Sequence, residues 1–246
     1  MNYVTDALLL ILDPRSWPGP DGIGTRLVQH ALYVAAGVVT ATVAAVPLGL
    51  FVGHTGRGRN LVVAATGVAR SLPTFGLLLF AVLLFGLHLA PVIAVLVLLA
   101  IPPILAGTYA GVEAVGRSAV DGARGSGYSE SQIVRRVELP LAMPLIVGGV
   151  RSATLQAIAT ATIAGYVAQG TLGRYLIEGL ARHEYATAVV GALLVAGLAL
   201  VADAALTIVQ SLATPHGGSR TGRRTAPVSP RGPGWAAPLP EGQDPR

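Results

Sequence analysis

Charged residues inside apolar segments are the side chains of this sequence best suited to chemistry. Arg70, Arg151 and Asp203 each stand within a long apolar run. An unpaired charge is costly there, and such a residue is expected to face the interior of a helix bundle or water. Asp203 can pair with either arginine, and the spacing does not decide between them. With Pro73 and Thr162, these residues are candidates for a polar path between helices or for a brace that joins them.

Motifs of known catalytic chemistry do not occur in the chain. It contains no lysine, so the phosphate-binding Gly-x-x-x-x-Gly-Lys-Ser/Thr motif is excluded and any ATP chemistry needs another subunit. It contains no cysteine, which excludes disulfides, thiol catalysis and cysteine-ligated metals. Ser-x-x-Lys and His-Glu-x-x-His are also missing. We therefore predict no enzyme activity, no catalytic residue, no cofactor and no metal.

The composition is that of a membrane protein. Hydrophobic residues make up 52% of the 246 residues and charged residues 12%, about half the charged share of a soluble domain. Apolar runs of roughly 20 residues match the length that a helix needs to cross the hydrocarbon core. The sequence therefore predicts an all-α, polytopic transmembrane bundle in contact with lipid. We expect five spans, over about residues 27–52, 61–87, 91–109, 141–167 and 185–212.

Arginine positions predict the orientation and the division of the chain. Loops rich in arginine face the cytoplasm, which places the N-terminus outside and the C-terminus inside. The net charge of +5 is thus interpreted as membrane orientation and not as nucleic-acid binding. We predict an extracytoplasmic segment over 1–23, a transmembrane domain over 24–213 and a cytoplasmic tail over 214–246. The tail is rich in Pro, Gly, Ser and Arg and is expected to be disordered.

The longest polar interruption, about residues 110–140, predicts two short helices joined by a bend on the cytoplasmic side. Gly125 and Gly127 offer the positive φ that ends a helix. Ser129 and Gln132 match a capping box at the start of the second helix. Pro140 is expected to end that helix, because proline has no N–H to donate. We call this helix–bend–helix unit the elbow.

The elbow resembles the coupling loop of ABC-importer permeases of the binding-protein-dependent class. Their signature reads Glu-Ala-Ala, three residues, Gly, nine residues, Ile, one residue, Leu-Pro, and this chain keeps every spacing with three substitutions. Glycine replaces the first alanine and loosens that helix by about 1 kcal/mol. The resemblance implies a cytoplasmic ATP-binding subunit as partner. The implied coupling residues are Asp121, Gly122, Ala123, Arg124, Gly127, Val137, Leu139 and Pro140.

Other motifs extend the resemblance over about residues 24–212, at 70–73, 149–153, 162–164 and 170–173. They look most like permeases that import quaternary-amine osmoprotectants such as glycine betaine, choline and carnitine. The resemblance implies a second permease, identical or a sister, and an extracytoplasmic substrate-binding protein. Because aromatic residues make up only 5%, substrate selection is expected in that binding protein. Its candidate docking turn is formed by Gly170, Thr171, Leu172 and Gly173.

Other interpretations stay open at this level. A permease for methionine or another amino acid shares parts of the same pattern. An ion-coupled secondary transporter would also be apolar and broken by proline, although it often shows repeated halves that we do not find here. A membrane scaffold without transport has no specific support. Gln29, His30 and His88, near the ends of spans, are interpreted as interfacial polar residues, and most small residues in the spans as packing positions.

Overall fold

The computed structural model describes residues 2–71, 73–167 and 170–214, and the regular elements of these residues are all helical. Short 3₁₀ turns also occur at Pro14–Ser16 and Ala164–Tyr166, and a π-helical turn at Val134–Glu138. The all-α prediction is confirmed. Of the predicted tail, residues 215–246 lie outside the described residues. The α-helices are α1 (Tyr3–Leu12), α2 (Ile23–Thr55), α3 (Arg59–Ser71), α4 (Thr74–Phe85), α5 (Leu89–Glu113), α6 (Arg117–Gly125), α7 (Glu130–Ile133), α8 (Leu139–Ile163), α9 (Gly173–Ala181) and α10 (Tyr185–Ala213).

Among the described residues, three helices are long and apolar enough to cross a membrane: α2, α5 and α10. They correspond to the first, third and fifth predicted spans. The fourth predicted span is α8, which has 25 residues but carries Arg151 and Gln156, and these polar side chains lower its mean hydropathy. The predicted second span is divided between α3 and α4. The count of five spans therefore stays a prediction.

Proline explains where the second apolar segment is divided. α3 ends at Ser71 and α4 begins at Thr74. Pro73 stands at the start of α4 in an extended conformation, with φ −69° and ψ 108°. Proline lacks the N–H that would continue a helical hydrogen-bond pattern. The segment therefore forms two short helices, 13 and 12 residues long, where the sequence predicted a single span.

The core lies where α2, α5 and α8 pack together, with α10 against α8. Its largest apolar cluster includes Val34 and Val38 from α2 and Leu96 and Leu99 from α5. Small residues let the backbones approach closely: a Cβ on Gly149 of α8 would lie 2.8 Å from the carbonyl oxygen of Pro103 on α5. The predicted packing role of small residues is confirmed at this crossing. It does not extend to Gly197, where an added Cβ would have nothing within 4 Å.

The segment before α2 also contains a helix. α1 packs against α10, and Ala7 of α1 is fully buried beside Ile23 and Val190. The ring of Tyr3 lies 5.4 Å from that of Tyr185 at the start of α10. The N-terminal segment is thus attached to the same bundle as the long helices.

Candidate functional site

The elbow forms as the sequence predicts, with a bend between two short helices. Its first helix is α6 and its second begins with α7. Gly127 lies between them at φ +83°, a conformation that side-chain-bearing residues rarely adopt. At the start of α7, the backbone N–H of Ser129 donates to Gln132 Oε1 over 2.9 Å, which gives this end of the helix the predicted capping contact.

The predicted helix end at Pro140 is wrong. Helical backbone continues from α7 through the π-turn Val134–Glu138 into α8, and Pro140 lies in the first turn of α8. The π-turn ends with the N–H of Leu139 donating to the carbonyl of Val134, five residues back. Such a widened turn changes the local hydrogen-bond pattern just where proline cannot donate. The second half of the elbow and the fourth long helix are therefore one continuous element.

Most of the predicted coupling residues lie at the surface of the elbow. Asp121, Gly122 and Arg124 are exposed on α6, and a Cβ on Gly122 would have nothing within 4 Å. Ala123, Val137 and Leu139 are half-buried and Pro140 is exposed. Leu139 packs against an apolar cluster that joins α5 to α8, formed by Val112, Ala142 and Ile146. The α6 side of the elbow is thus exposed, whereas its α8 end is held by apolar packing.

Ion pairs connect the two halves of the elbow across the bend. Arg124 donates to both carboxylate oxygens of Glu130, from Nε over 2.8 Å and from Nη2 over 3.0 Å, and also to Asp121 over 3.1 Å. The hydrogen bond from Arg124 lowers the pKa of Glu130, and the same contact raises the pKa of Arg124. A bidentate pair of this kind fixes direction as well as distance.

Sequence reasoning missed a histidine that extends these ion pairs to α2. His54 lies in the last turn of α2. Its Nδ1 lies 2.9 Å from Glu138 Oε2, and its Nε2 lies 3.2 Å from Glu130 Oε2. We call the set Asp121, Arg124, Glu130, His54 and Glu138 the elbow network. Nothing in the local pattern pointed to His54, because 84 residues separate it from Glu138.

A polar cavity of about 600 Å³ lies beside the elbow network, between α6 and the ends of α2 and α5. Charged side chains of both signs line it. Its lining includes Arg59, Tyr109, Glu113, Arg117 and Asp121. Arg59 and Glu113 approach to 3.4 Å across it.

Asp203 pairs with Arg151, one of the two arginines that the sequence offered as partners. Arg151 of α8 donates from Nε to Oδ1 over 2.6 Å and from Nη2 to Oδ2 over 2.8 Å. The pair joins α8 to α10, so a brace between helices describes it well. The side chain of Arg70 in α3 lies outside the described residues. Thr162 donates to the carbonyl of Ile158 within its own helix over 3.0 Å.

The candidate docking turn is buried. Gly170, Thr171, Leu172 and Gly173 are all in the interior, and Thr171 and Leu172 have no exposed surface. Their own side chains are therefore packed, whereas Tyr166, four residues before Gly170, is 59% exposed. Docking of a binding protein at this turn stays a prediction.

His30 holds this turn in place through two hydrogen bonds. It is fully buried, with Nε2 3.2 Å from the carbonyl of Ile158 and Nδ1 accepting from the N–H of Leu172 over 3.3 Å. A neutral imidazole with its proton on Nε2 satisfies both contacts. His30 thereby joins α2, α8 and the turn. The sequence did not predict these contacts, because the partners are backbone groups, which side-chain patterns do not reveal.

Residues 45–213 match the family described as binding-protein-dependent transport system inner membrane component. The chain belongs to this family. It is a multi-pass permease of the inner membrane, of the ABC-importer type, and the family assignment favours this interpretation over a secondary transporter. The continuous α7–α8 element and the elbow lie within the matched residues.

Similar proteins of known name support the assignment. The permease is 32% identical over 192 residues to the choline transport system permease protein OpuBB of Bacillus subtilis. The matched residues cover 78% of this chain and 88% of that protein. It is 31% identical over 189 residues to the glycine betaine/carnitine/choline transport system permease protein OpuCB of the same organism. That match covers 77% of this chain and 87% of that protein. Its fold is similar to that of a chain of the inward-facing MetNI methionine ABC transporter, with a TM-score of 0.67 and 20% identity. The match covers 77% of this chain and 94% of that one.

Proposed function

We propose that this permease imports quaternary-amine osmoprotectants, such as glycine betaine, choline or carnitine. The observation that carries the substrate class is the identity of about 30% to permeases named for these compounds, over more than three quarters of the chain. The likeness to the methionine transporter is at 20% identity and supports the fold alone. Methionine or another amino acid is therefore the weaker alternative.

ATP hydrolysis is assigned to a separate cytoplasmic subunit that docks on the elbow. The exposed face of α6, with open space beside Gly122, is a surface on which such a subunit can rest. The continuous backbone from α7 into α8 would carry its movement into the bundle, where α8 packs against α2, α5 and α10. Predicted cytoplasmic placement of the elbow follows from the arginine bias.

Substrate selection is assigned mainly to an extracytoplasmic binding protein. Quaternary ammonium ions are commonly held by several aromatic rings through cation–π attraction. Aromatic residues make up only 5% of the sequence. Among the described residues, the ring contacts are a row of Tyr3, Tyr185 and His183 and the edge-to-face pair of Phe75 and Tyr166 at 5.7 Å. The permease would then need only a weak, transient contact with the substrate. Two permeases, identical or sisters, are expected to enclose the path.

The test is uptake by the assembled transporter. The permease is co-purified from its native membrane with its partners, reconstituted into liposomes, and supplied with radiolabelled glycine betaine, choline, carnitine or methionine. ATP-dependent uptake of the quaternary amines, with methionine excluded, is the expected result. Uptake of methionine alone would replace the substrate assignment. Uptake driven by an ion gradient, without the ATP-binding subunit, would overturn the importer assignment.

A further inference from the structure

His54 is a partly buried junction between two carboxylates that lie on different parts of the elbow. Its side chain is 16% exposed, and that of Glu138 is 6% exposed. A carboxylate only accepts hydrogen bonds, so a neutral imidazole satisfies one of the two contacts and the doubly protonated ring satisfies both. Glu130, at the start of α7, is 55% exposed and also paired with Arg124. The buried and the exposed carboxylate are thus linked through a single ring.

The position of His54 gives this link a mechanical role. α2 ends one residue later, at Thr55, and the N–H of Gly56 closes the helix by donating to Val52. Glu130 begins the second half of the elbow and Glu138 ends the π-turn that leads into α8. His54 therefore connects the end of α2 to both ends of the segment between the bend and α8. The backbone already joins that segment to α8. Within the residues that the structure describes, every ion pair between the segment and α2 involves His54.

Glu138 shows that the contact is more than a surface ion pair. A carboxylate that is almost fully buried requires a charged or hydrogen-bonding partner. In the described part of the chain its hydrogen-bonding partner is His54 Nδ1 at 2.9 Å, while Arg124 acts on it only electrostatically. Removing His54 leaves this buried carboxylate without its hydrogen-bonding partner. Pairs of this kind are far less screened than exposed ones.

We propose that His54 is a positioning residue that transmits movement of the elbow to α2, so that α2 and α8 move together. This inference rests on the proposed function, because it assumes that an ATP-binding subunit displaces the elbow. The coupling residues suggested by the sequence all lie within residues 121–140. His54 adds a second route, from the elbow network into the first long helix.

The test separates transmission from stability. Three variants are reconstituted with the ATP-binding subunit and a binding protein loaded with glycine betaine: His54→Phe, Glu138→Leu and the double variant. The readouts are the melting temperature and the glycine betaine transported per ATP hydrolysed. His54→Phe is expected to lower both, with transport per ATP falling roughly tenfold for the loss of a charged hydrogen bond. In the double variant no buried charge is left unpaired, so stability recovers while transport per ATP stays low.

Two outcomes overturn the proposal. One is unchanged transport per ATP in His54→Phe, and the other is recovery of transport together with stability in the double variant, which would make His54 purely structural. His88→Phe is the matched control. In the described structure, the hydrogen bond of the His88 side chain joins its Nε2 to the carbonyl of Phe85 over 2.8 Å and involves no helix of the elbow network. That variant is expected to transport like the unmodified protein.

A second measurement does not depend on the importer assignment. In the purified permease alone, amide hydrogen exchange over residues 117–133 is compared between the unmodified protein and His54→Phe. Exchange is expected to increase roughly tenfold when the tie to α2 is lost, and unchanged exchange would overturn the proposed link. If the unmodified transporter shows no ATP-dependent uptake, the proposed function fails while this measurement still decides the link.

Discussion

Single charged residues can be accommodated inside this bundle because they meet partners with matching geometry. Arg151 and Asp203 form two parallel hydrogen bonds, of 2.6 and 2.8 Å, between α8 and α10. Both side chains remain about one third exposed, so they lie at the side of the helix contact and not in its centre. The pair is a brace whose value depends on both partners being present.

Replacing one partner of this brace is expected to destabilise the permease more than replacing both. Arg151→Leu leaves Asp203 unpaired in an apolar setting, and we expect the free energy of unfolding to fall measurably. Arg151→Leu combined with Asp203→Leu should recover most of that loss, because no charge is left alone. Unfolding in detergent micelles measures both, with the exposed Arg182→Leu as control. Equal losses in the single and double variants would contradict the brace.

At the level of the elements, the elbow owes its shape to one backbone conformation and one set of ion pairs. Gly127 supplies the bend at φ +83°. Arg124 then joins the two helices across it through Glu130. Gly125, two residues earlier, has no positive φ, and an added Cβ there would have nothing within 4 Å. The same substitution at the two glycines therefore separates backbone strain from added bulk.

Gly127→Val is expected to uncouple the transporter, whereas Gly125→Val is not. A β-branched residue at positive φ costs roughly 1–2 kcal/mol or more, which would misdirect α7 relative to α6. We expect the stimulation of ATP hydrolysis by loaded binding protein to fall about fivefold to tenfold in Gly127→Val. ATPase assays on the reconstituted complex measure this. Unchanged stimulation would count against a coupling role of the bend.

The elbow should also open in acid. The hydrogen bond from Arg124 holds the pKa of Glu130 below its ordinary value of 4.5. The pairing therefore stabilises the elbow above that ordinary value, and the stabilisation is lost as the pH falls through the lowered pKa. Amide exchange of α6 and α7, corrected for its intrinsic pH dependence, should rise as the pH falls below about 4.5. Glu130→Gln should abolish the acid step; an identical step in that variant would assign it to other groups.

Much of the elbow could be predicted from the local sequence, whereas its contacts with distant parts of the chain could not. Gly127 and Gln132 act through their own or neighbouring backbone, so their roles could be read from the chain. The continuation through Pro140 was not predicted, because a π-turn shifts the hydrogen bonds that proline would otherwise break. The contacts of His54 and His30 depend on helices brought together by tertiary packing. No spacing rule within one helix contains that information.

At the scale of the whole molecule, the arrangement in the membrane is the main prediction still to be measured. Three of the described helices meet the length and apolarity needed to cross. The remaining two predicted spans are α8 and the divided α3–α4 segment. The arginine bias places the elbow in the cytoplasm and the connection between α9 and α10 outside.

The absence of cysteine from the sequence makes this orientation measurable by single-cysteine labelling. Ser118→Cys in α6 and Arg182→Cys after α9 are both at exposed positions. With a membrane-impermeant maleimide on spheroplasts, we expect labelling of Arg182→Cys at once and of Ser118→Cys only after the membrane is permeabilised. The unmodified protein is the unlabelled control. The reverse pattern would invert the topology, and labelling of both positions would refute five spans.

The continuous helical backbone from α7 through α8 has a consequence for timing. From Glu130 to Ile163 it is about 50 Å long, at roughly 1.5 Å per residue. A tilt of about 5° about one end would displace the other by about 4 Å, a distance comparable to the close helix contacts of this bundle. Its far end carries the carbonyl of Ile158 that His30 contacts. A displacement at the elbow and its effect near the turn at 170–173 would then be simultaneous, with no intermediate in which only one end has responded.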